Sequence, residues 1–132
     1  MKHLGIDYGS KRVGLALSDD AGVMGFPHAV VPNDPLLLKS VVELMKRENV
    51  GAVVMGESLN FQGEDNPIAK EAREFARSLE EETGTTVFYE PEMLTTQEAR
   101  RDFEGIRTHG IVDSSAAALI LTSFLDRVKN HD

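Results

Sequence analysis

The fold is decided by an apolar stretch with a glycine turn at its centre, in the run Leu4-Gly5-Ile6-Asp7-Tyr8-Gly9-Ser10-Lys11-Arg12-Val13-Gly14-Leu15-Ala16. The first half of this run is typical of a β-strand, and the second half alternates as a second strand does. The glycines between the halves predict a turn that a large substrate can approach closely. Asp7 stands at the end of the first strand, where a carboxylate can hold a metal ion or a phosphate-bound metal.

The rest of the chain predicts a mixed sheet covered by helices. Strands are predicted over residues 2–8, 12–18, 23–31, 50–56 and 85–89. Helices are predicted after Asp34-Pro35, with Asp34 as N-cap, after Asn66-Pro67, after Thr95, and over residues 112–129. Three strands that can pair antiparallel, followed by strands separated by helices, indicate one α/β domain spanning residues 1–132. We expect a mixed five-stranded sheet with helices on both faces.

Composition limits the class of protein. The chain has 132 residues, of which 41% are hydrophobic and 27% charged, as in a globular domain with a real core. A net charge of -8 argues against a protein that coats nucleic acid by bulk charge, although an acidic cluster is what a magnesium site requires. The absence of cysteine excludes disulfides and thiolate metal sites. No membrane segment or signal peptide is predicted, and a cytoplasmic location is compatible with this pattern.

Three acidic residues stand at the ends of predicted elements. Asp7 ends the first strand, Glu92 follows the fifth, and Asp113 begins the last helix. Strand ends at one edge of a sheet can converge, and carboxylates gathered there repel one another unless a cation neutralises them. Oxygen ligands suit Mg²⁺ or Mn²⁺. Two such ions about 4 Å apart could activate a water and stabilise the leaving oxygen in phosphodiester hydrolysis.

Each of these acids also has a simpler interpretation. Asp7 is placed to cap the turn beside Gly9. Asp113 stands where the helix dipole favours an acidic residue, and Glu92 alone is typical of a solvated loop. The prediction of a metal site therefore depends on the three acids together.

The motifs resemble those of the YqgF/RuvX family of pre-16S rRNA nucleases, which are related to Holliday-junction resolvases. Four motifs occur in the same order as in the family: residues 5–16, Leu59-Asn60 with Gly63, residues 94–99 and residues 112–121. It implies an RNase H-like fold and Mg²⁺- or Mn²⁺-dependent endonuclease activity. It further implies processing of the 5′ end of pre-16S rRNA in ribosome biogenesis. Its three acidic site positions correspond to Asp7, Glu92 and Asp113.

Two motifs depart from the family pattern. Where the family usually has Asp-Glu-Arg, this chain has Pro91-Glu92-Met93, so the Glu is kept while its neighbours differ. Where the family usually has Gly-Leu-Pro-Leu-Asn, the residue after Gly56 is Glu57. Related resolvases place a catalytic acid near that strand end, so Glu57 is a fourth candidate for the site. A solvated loop glutamate is the alternative.

Basic residues lie near the predicted acidic site. Lys11 and Arg12 flank the glycine turn, and Arg100 and Arg107 lie between the segments of Glu92 and Asp113. We predict that these four contact substrate phosphates and offset the negative net charge locally. For Arg100 the alternative is ion pairing with a neighbour such as Glu104 on a helix surface.

The sequence leaves other functions open. A Holliday-junction resolvase would use the same site on branched DNA and would need two active sites, hence a homodimer; a monomer also fits the sequence. A non-catalytic nucleic-acid-binding module is compatible with the altered motif around Glu92. An acid and glycines after a strand also resemble the phosphate loop of the actin, Hsp70 and sugar-kinase superfamily. Those proteins bind ATP between two such domains, however, and 132 residues supply only one.

Overall fold

The architecture is given by a computed structural model that describes residues 1–57, 67–91 and 109–130. The elements are β1 (Lys2–Tyr8), β2 (Arg12–Ser18), β3 (Gly25–Pro32), α1 (Leu37–Glu48), β4 (Val50–Glu57), α2 (Pro67–Thr83), β5 (Val87–Pro91) and α3 (His109–Asn130). The helix predicted after Thr95 lies outside the described residues. No helix in the described ranges is long and apolar enough to cross a membrane.

The five strands form one mixed sheet, as predicted. Their order is β3-β2-β1-β4-β5. β1 pairs antiparallel with β2, which pairs antiparallel with β3, while β1, β4 and β5 are parallel neighbours. The C-terminal ends of β1, β4 and β5 therefore lie at the same edge of the sheet, which we call the carboxyl edge.

Helices cover both faces of this sheet, which also confirms the prediction. On one face, side chains of α1 and α2 such as Val41 and Leu79 pack against Leu4 and Ile6. On the other face, side chains of α3 such as Leu121 pack against Ala16 and Val54. Successive residues of a strand point to opposite faces. In β1, Leu4 and Ile6 therefore face α1 and α2, while Gly5 and Asp7 face α3.

Small residues let α3 lie very close to the sheet. A Cβ atom added to Gly5 would stand 2.9 Å from the carbonyl oxygen of Ala117 and 2.9 Å from Cβ of Leu121. One added to Gly25 would stand 3.0 Å from the carbonyl oxygen of Ala118. The contact at Gly5 is shorter than real Cβ contacts and the one at Gly25 is tighter than most, so the helix takes this position because glycine stands at residue 5.

An ion pair between a buried carboxylate and a half-exposed arginine joins β5 to α3. Glu90 is 5% exposed and accepts hydrogen bonds from Ser123 Oγ at 2.8 Å and from Arg127 Nε at 3.0 Å. The Arg127 guanidinium also lies over the Phe124 ring, 5.4 Å from its centroid. A carboxylate buried in this way needs such donors, because desolvation of an unpaired charge is costly.

The start of α1 differs from the sequence prediction. Asp34 was expected to be the N-cap, but the helix begins at Leu37 and its N-cap is Leu36, which makes no side-chain cap hydrogen bond. Asp34 Oδ1 instead accepts the N–H of Leu36 at 2.9 Å. This is an Asx turn, which competes with capping for the same short side chain.

The start of β3 also differs from the sequence prediction, again because an aspartate side chain binds backbone N–H groups. β3 was expected from residue 23 but begins at Gly25. The Asp19 carboxylate accepts the N–H groups of Val23 at 2.8 Å and Met24 at 3.1 Å, which holds both residues in the preceding turn. These hydrogen bonds also lower the pKa of Asp19, the one from Met24 most strongly.

The close approach of α3 predicts a difference between two strand glycines. We expect Gly5→Ala to lower the free energy of unfolding by roughly 1–3 kcal/mol, because the new methyl group meets the helix backbone. Gly51→Ala is the matched control, since its added Cβ meets only the flexible side chain of Met1. Urea unfolding of both variants measures the difference. Equal stability of the two would contradict the packing described here.

The Glu90–Arg127 pair predicts a second stability difference. Arg127→Ala leaves Glu90 buried with Ser123 as its remaining described partner, so we expect a loss of about 1–3 kcal/mol. Arg47→Ala is the control, because Arg47 is 65% exposed and pairs with Glu48 at 3.8 Å on the surface. Such surface pairs contribute about 0–1 kcal/mol. Thermal unfolding should therefore separate the two variants. Similar losses would show that pairing with the buried Glu90 carboxylate adds no more stability than a surface pair does.

Candidate active site

Asp7 is a buried acid near the carboxyl edge of the sheet. It is 8% exposed and lies one residue before the end of β1, on the face that α3 covers. It is paired across the sheet with Gly14 of β2. On the other side, Ile6 pairs with Met55, so the next residue of β4 beside Asp7 is Gly56. Neither glycine has a side chain that could cover the Asp7 carboxylate.

The same row of the sheet contains a second buried acid. Gly56 pairs with Glu90 of β5, so Glu90 faces α3 as Asp7 does, two strands away. At the usual strand spacing their Cα atoms are about 10 Å apart. The Glu90 carboxylate accepts hydrogen bonds from Ser123 and from Arg127, which gives it a cationic partner on α3. Glu90 was not among the functional residues predicted from the sequence. The only feature that could have indicated it is an acidic residue next to the apolar and aromatic residues of β5.

The course of α3 brings its N-terminal part toward Asp7. The His3 ring at the opposite end of β1 lies 6.4 Å from the Phe124 ring, while Gly5 meets Ala117 and Leu121. The helix therefore passes β1 from the carboxyl edge toward the start of the strand. Asp113 is in this N-terminal part of α3, one helical turn before Ala117. Its side chain lies outside what the structure describes.

The other predicted ligand and two predicted substrate contacts also fall outside the description. Glu92 immediately follows the last residue of β5, and Arg100 and Arg107 come later in the same undescribed stretch. Within residues 1–57, 67–91 and 109–130, no group of three or more metal-ligating side chains is present. The side chains that the structure describes include that of Asp7 but neither that of Glu92 nor that of Asp113.

Glu57 lies at the carboxyl edge but on the other face of the sheet. Val53 and Met55 of β4 pack in the core under α1 and α2, and alternation places Glu57 on their side. Its charge acts on Tyr89 of the neighbouring strand. Burial is the main cause that raises the pKa of Tyr89, and the carboxylates of Glu80 and Glu57 raise it further. The structure thus brings Glu57 to the same edge as Asp7 without bringing it to the same face.

Lys11 and Arg12 are exposed beside the turn that follows Asp7. A Cβ added to Gly9 would stand 2.5 Å from the carbonyl oxygen of Arg12, so this turn closes only with glycine at that position. Two cationic side chains are thereby presented within five residues of Asp7.

Contacts to this turn were not foreseen from the sequence. Asn33 Nδ2 donates to the carbonyl oxygen of Gly9 at 2.7 Å, and the Asn33 N–H donates to that of Lys11 at 2.9 Å. The hydroxyl of Tyr8 donates to Glu71 Oε2 of α2 at 2.8 Å. Burial raises the pKa of Tyr8, and the hydrogen bond to Glu71 acts in the same direction. No local motif distinguishes Asn33 from an ordinary residue after a strand.

Solved structures share this architecture. RuvC of Thermus thermophilus in complex with a Holliday junction substrate matches with a TM-score of 0.64 at 22% identity, over 97% of this chain and 96% of that one. The fowlpox virus Holliday junction resolvase matches with a TM-score of 0.59 at 15% identity, over 97% and 99%. At these identities the likeness shows the fold alone, which is that of the RuvC-like RNase H class.

Sequence relatives are more similar. A protein of Opitutus terrae is 38% identical over 96% of this chain and 92% of its own length, and one of Mesorhizobium japonicum is 35% identical over 97% and 81%. Both carry the name "Putative pre-16S rRNA nuclease". The family model described as RuvX, Holliday junction resolvase, matches residues 1–127. With nearly its whole length matched in this way, the chain belongs to the RuvX family.

Proposed function

We propose that the protein is a metal-dependent endonuclease that hydrolyses phosphodiester bonds in structured nucleic acid. The observation that carries the proposal is the buried carboxylate of Asp7 between Gly14 and Gly56, at the edge where three parallel strands end. Membership of the RuvX family and the names of the sequence relatives support the reaction class and favour pre-16S rRNA as the substrate. We place the cleavage at the 5′ end of that RNA.

The chemistry of the available donors suits a hard divalent cation. Asp7, Glu92 and Asp113 would supply carboxylate oxygens to Mg²⁺ or Mn²⁺, and the chain has no thiolate to attract softer metals. Burial of Asp7 favours this role, because positive charge beside a desolvated carboxylate stabilises its ionised form. The direction of α3 and the position of Glu92 directly after β5 are compatible with all three approaching the carboxyl edge.

The residues of the chain then have distinct tasks in hydrolysis. Divalent cations, when bound, supply positive charge that stabilises the transition state and favour ionisation of the attacking water. Asp7 lies on the central strand of the sheet, and a strand positions a side chain more precisely than a loop does. Gly14 and Gly56, the neighbours of Asp7 in the adjacent strands, add no side chain beside its carboxylate. Lys11 and Arg12 contact phosphates, with Arg100 and Arg107 as further contacts. No covalent intermediate is required.

Branched DNA is the second candidate substrate. The description of the matching family as Holliday junction resolvase favours it. Resolution of a junction requires two cuts and therefore two active sites, so this function needs a homodimer. Cleavage of a junction by a protein that sedimentation shows to be monomeric would argue against resolution as its role.

Asp7→Asn tests the reaction directly. We expect it to reduce cleavage by about 100-fold or more, because a metal-binding carboxylate is replaced by a neutral amide. The assay offers single-stranded RNA, duplex RNA, pre-16S rRNA fragments and four-way DNA junctions with Mg²⁺ or Mn²⁺. Asp20→Asn is the matched control, since Asp20 is exposed and pairs with Lys2 far from the carboxyl edge. Equal cleavage by the wild type and Asp7→Asn would refute the site.

Glu92→Gln and Glu57→Gln separate the two candidate acids. Because Glu57 lies on the opposite face from Asp7, we expect Glu57→Gln to retain most activity while Glu92→Gln loses about as much as Asp7→Asn. Calorimetric titration with Mn²⁺ gives a second measure, and it should show weaker binding only for Glu92→Gln. The reverse result would place the fourth candidate in the metal site and require the end of β4 to turn toward α3.

A further inference from the structure

We infer that Asn33 is a positioning residue that holds the turn of residues 9–11, and with it the cationic side chains of Lys11 and Arg12, in place for substrate phosphates. This inference rests on the proposed function. It concerns a residue that does not itself contact the substrate and that lies in a different part of the sequence from the motif around Asp7.

Asn33 makes two hydrogen bonds to one turn. Its side-chain amide donates to the carbonyl oxygen of Gly9 at 2.7 Å, and its backbone N–H donates to the carbonyl oxygen of Lys11 at 2.9 Å. The two acceptors are at either end of the turn. Asn33 therefore acts as a clamp: one residue fixes both ends of the turn and limits its movement relative to β1 and β2.

A second set of contacts connects this clamp to α2. Asn33 Nδ2 also lies 3.4 Å from Glu71 Oε2, and the same oxygen accepts the Tyr8 hydroxyl at 2.8 Å. The Tyr8 ring in turn contacts Phe75 of α2, with 5.4 Å between centroids. The turn is thus tied to a packed helix as well as to the end of β3, so its position is set by two elements of the fold.

This arrangement matters because long cationic side chains have many rotamers and do not hold one position by themselves. Lysine and arginine lose considerable rotamer entropy when they bind a phosphate. If the backbone of Lys11 and Arg12 is already fixed, less conformational entropy is lost when the side chains bind a phosphate, which is the usual benefit of preorganisation. Asp7 lies only two residues before Gly9, so the same clamp keeps a fixed distance between the phosphate contacts and the acid.

Asn33→Ala is the test variant, and binding is measured separately from cleavage. Fluorescence anisotropy with a labelled RNA duplex and a labelled four-way DNA junction, in the presence of EDTA, reports binding alone. We expect the Kd to rise by about fivefold, within the effect of losing a neutral hydrogen bond. In the cleavage assay, KM should rise by a larger factor than kcat falls.

A double-mutant cycle with Arg12→Ala distinguishes positioning from general stability. If Asn33 acts through the turn, Asn33→Ala should weaken binding clearly less in the Arg12→Ala background than in the wild type. A merely structural role would lower the melting temperature but give additive effects on Kd. Additive effects, or an unchanged Kd in the single variant, would overturn the inference.

Two further variants complete the design. Tyr8→Phe keeps the ring against Phe75 and removes the hydroxyl, which donates to Glu71 and also hydrogen-bonds with the Asn33 side chain. Because the bonds from Asn33 to the turn remain, it should weaken binding in the same direction but less. Glu74→Gln, on the same helix, is the control for changes of charge on α2. A wild type that binds neither probe would refute the proposed function and this inference with it. A wild type that binds and cleaves, with Asn33→Ala indistinguishable from it, would refute only the inference.

Discussion

The close contact between α3 and the central strand is the constraint on which the rest of the structure depends. The carbonyl oxygen of Ala117 and the Cβ of Leu121 occupy the space that any side chain at position 5 would need. This contact sets the height of the helix above β1. It thereby sets how far the N-terminal part of α3, with Asp113, stands from the Asp7 position two residues further along the strand.

Glycine has a second role at the carboxyl edge. Gly14 and Gly56 flank Asp7 in one row of the sheet, while the next acid in the row, Glu90, is covered by Arg127 and Ser123. Two buried acids of one face are therefore treated differently. Glu90 is paired with Arg127, a cation of the protein itself, whereas Asp7 is the carboxylate to which the proposed function assigns the chemistry.

The sequence predicted the elements well because their signals are local. Alternation marks β2, and Asn66-Pro67 marks the start of α2 correctly at Pro67. It gave no prediction of the face of Glu57, because residues 52–56 are all apolar or small and buried, so no alternation shows which face each residue is on. Asp34 was misplaced because its carboxylate can serve an Asx turn or a helix cap with similar geometry. Glu90 and Asn33 depend on partners in distant parts of the chain, and a single sequence contains no sign of such pairings.

The order of the strands has a consequence for how the protein is made. β1, β2 and β3 are consecutive and pair antiparallel, so they form contacts of short sequence separation and can assemble early. β4, β5 and α3 come later in the chain and make contacts of longer sequence separation, such as the pairing of β1 with β4. During synthesis Asp7 therefore emerges first, in a local three-stranded unit, whereas Glu92 and Asp113, the ligands of the proposed metal site, follow much later in the chain. On the proposed function, a nascent chain would lack a complete site until α3 packs over Gly5.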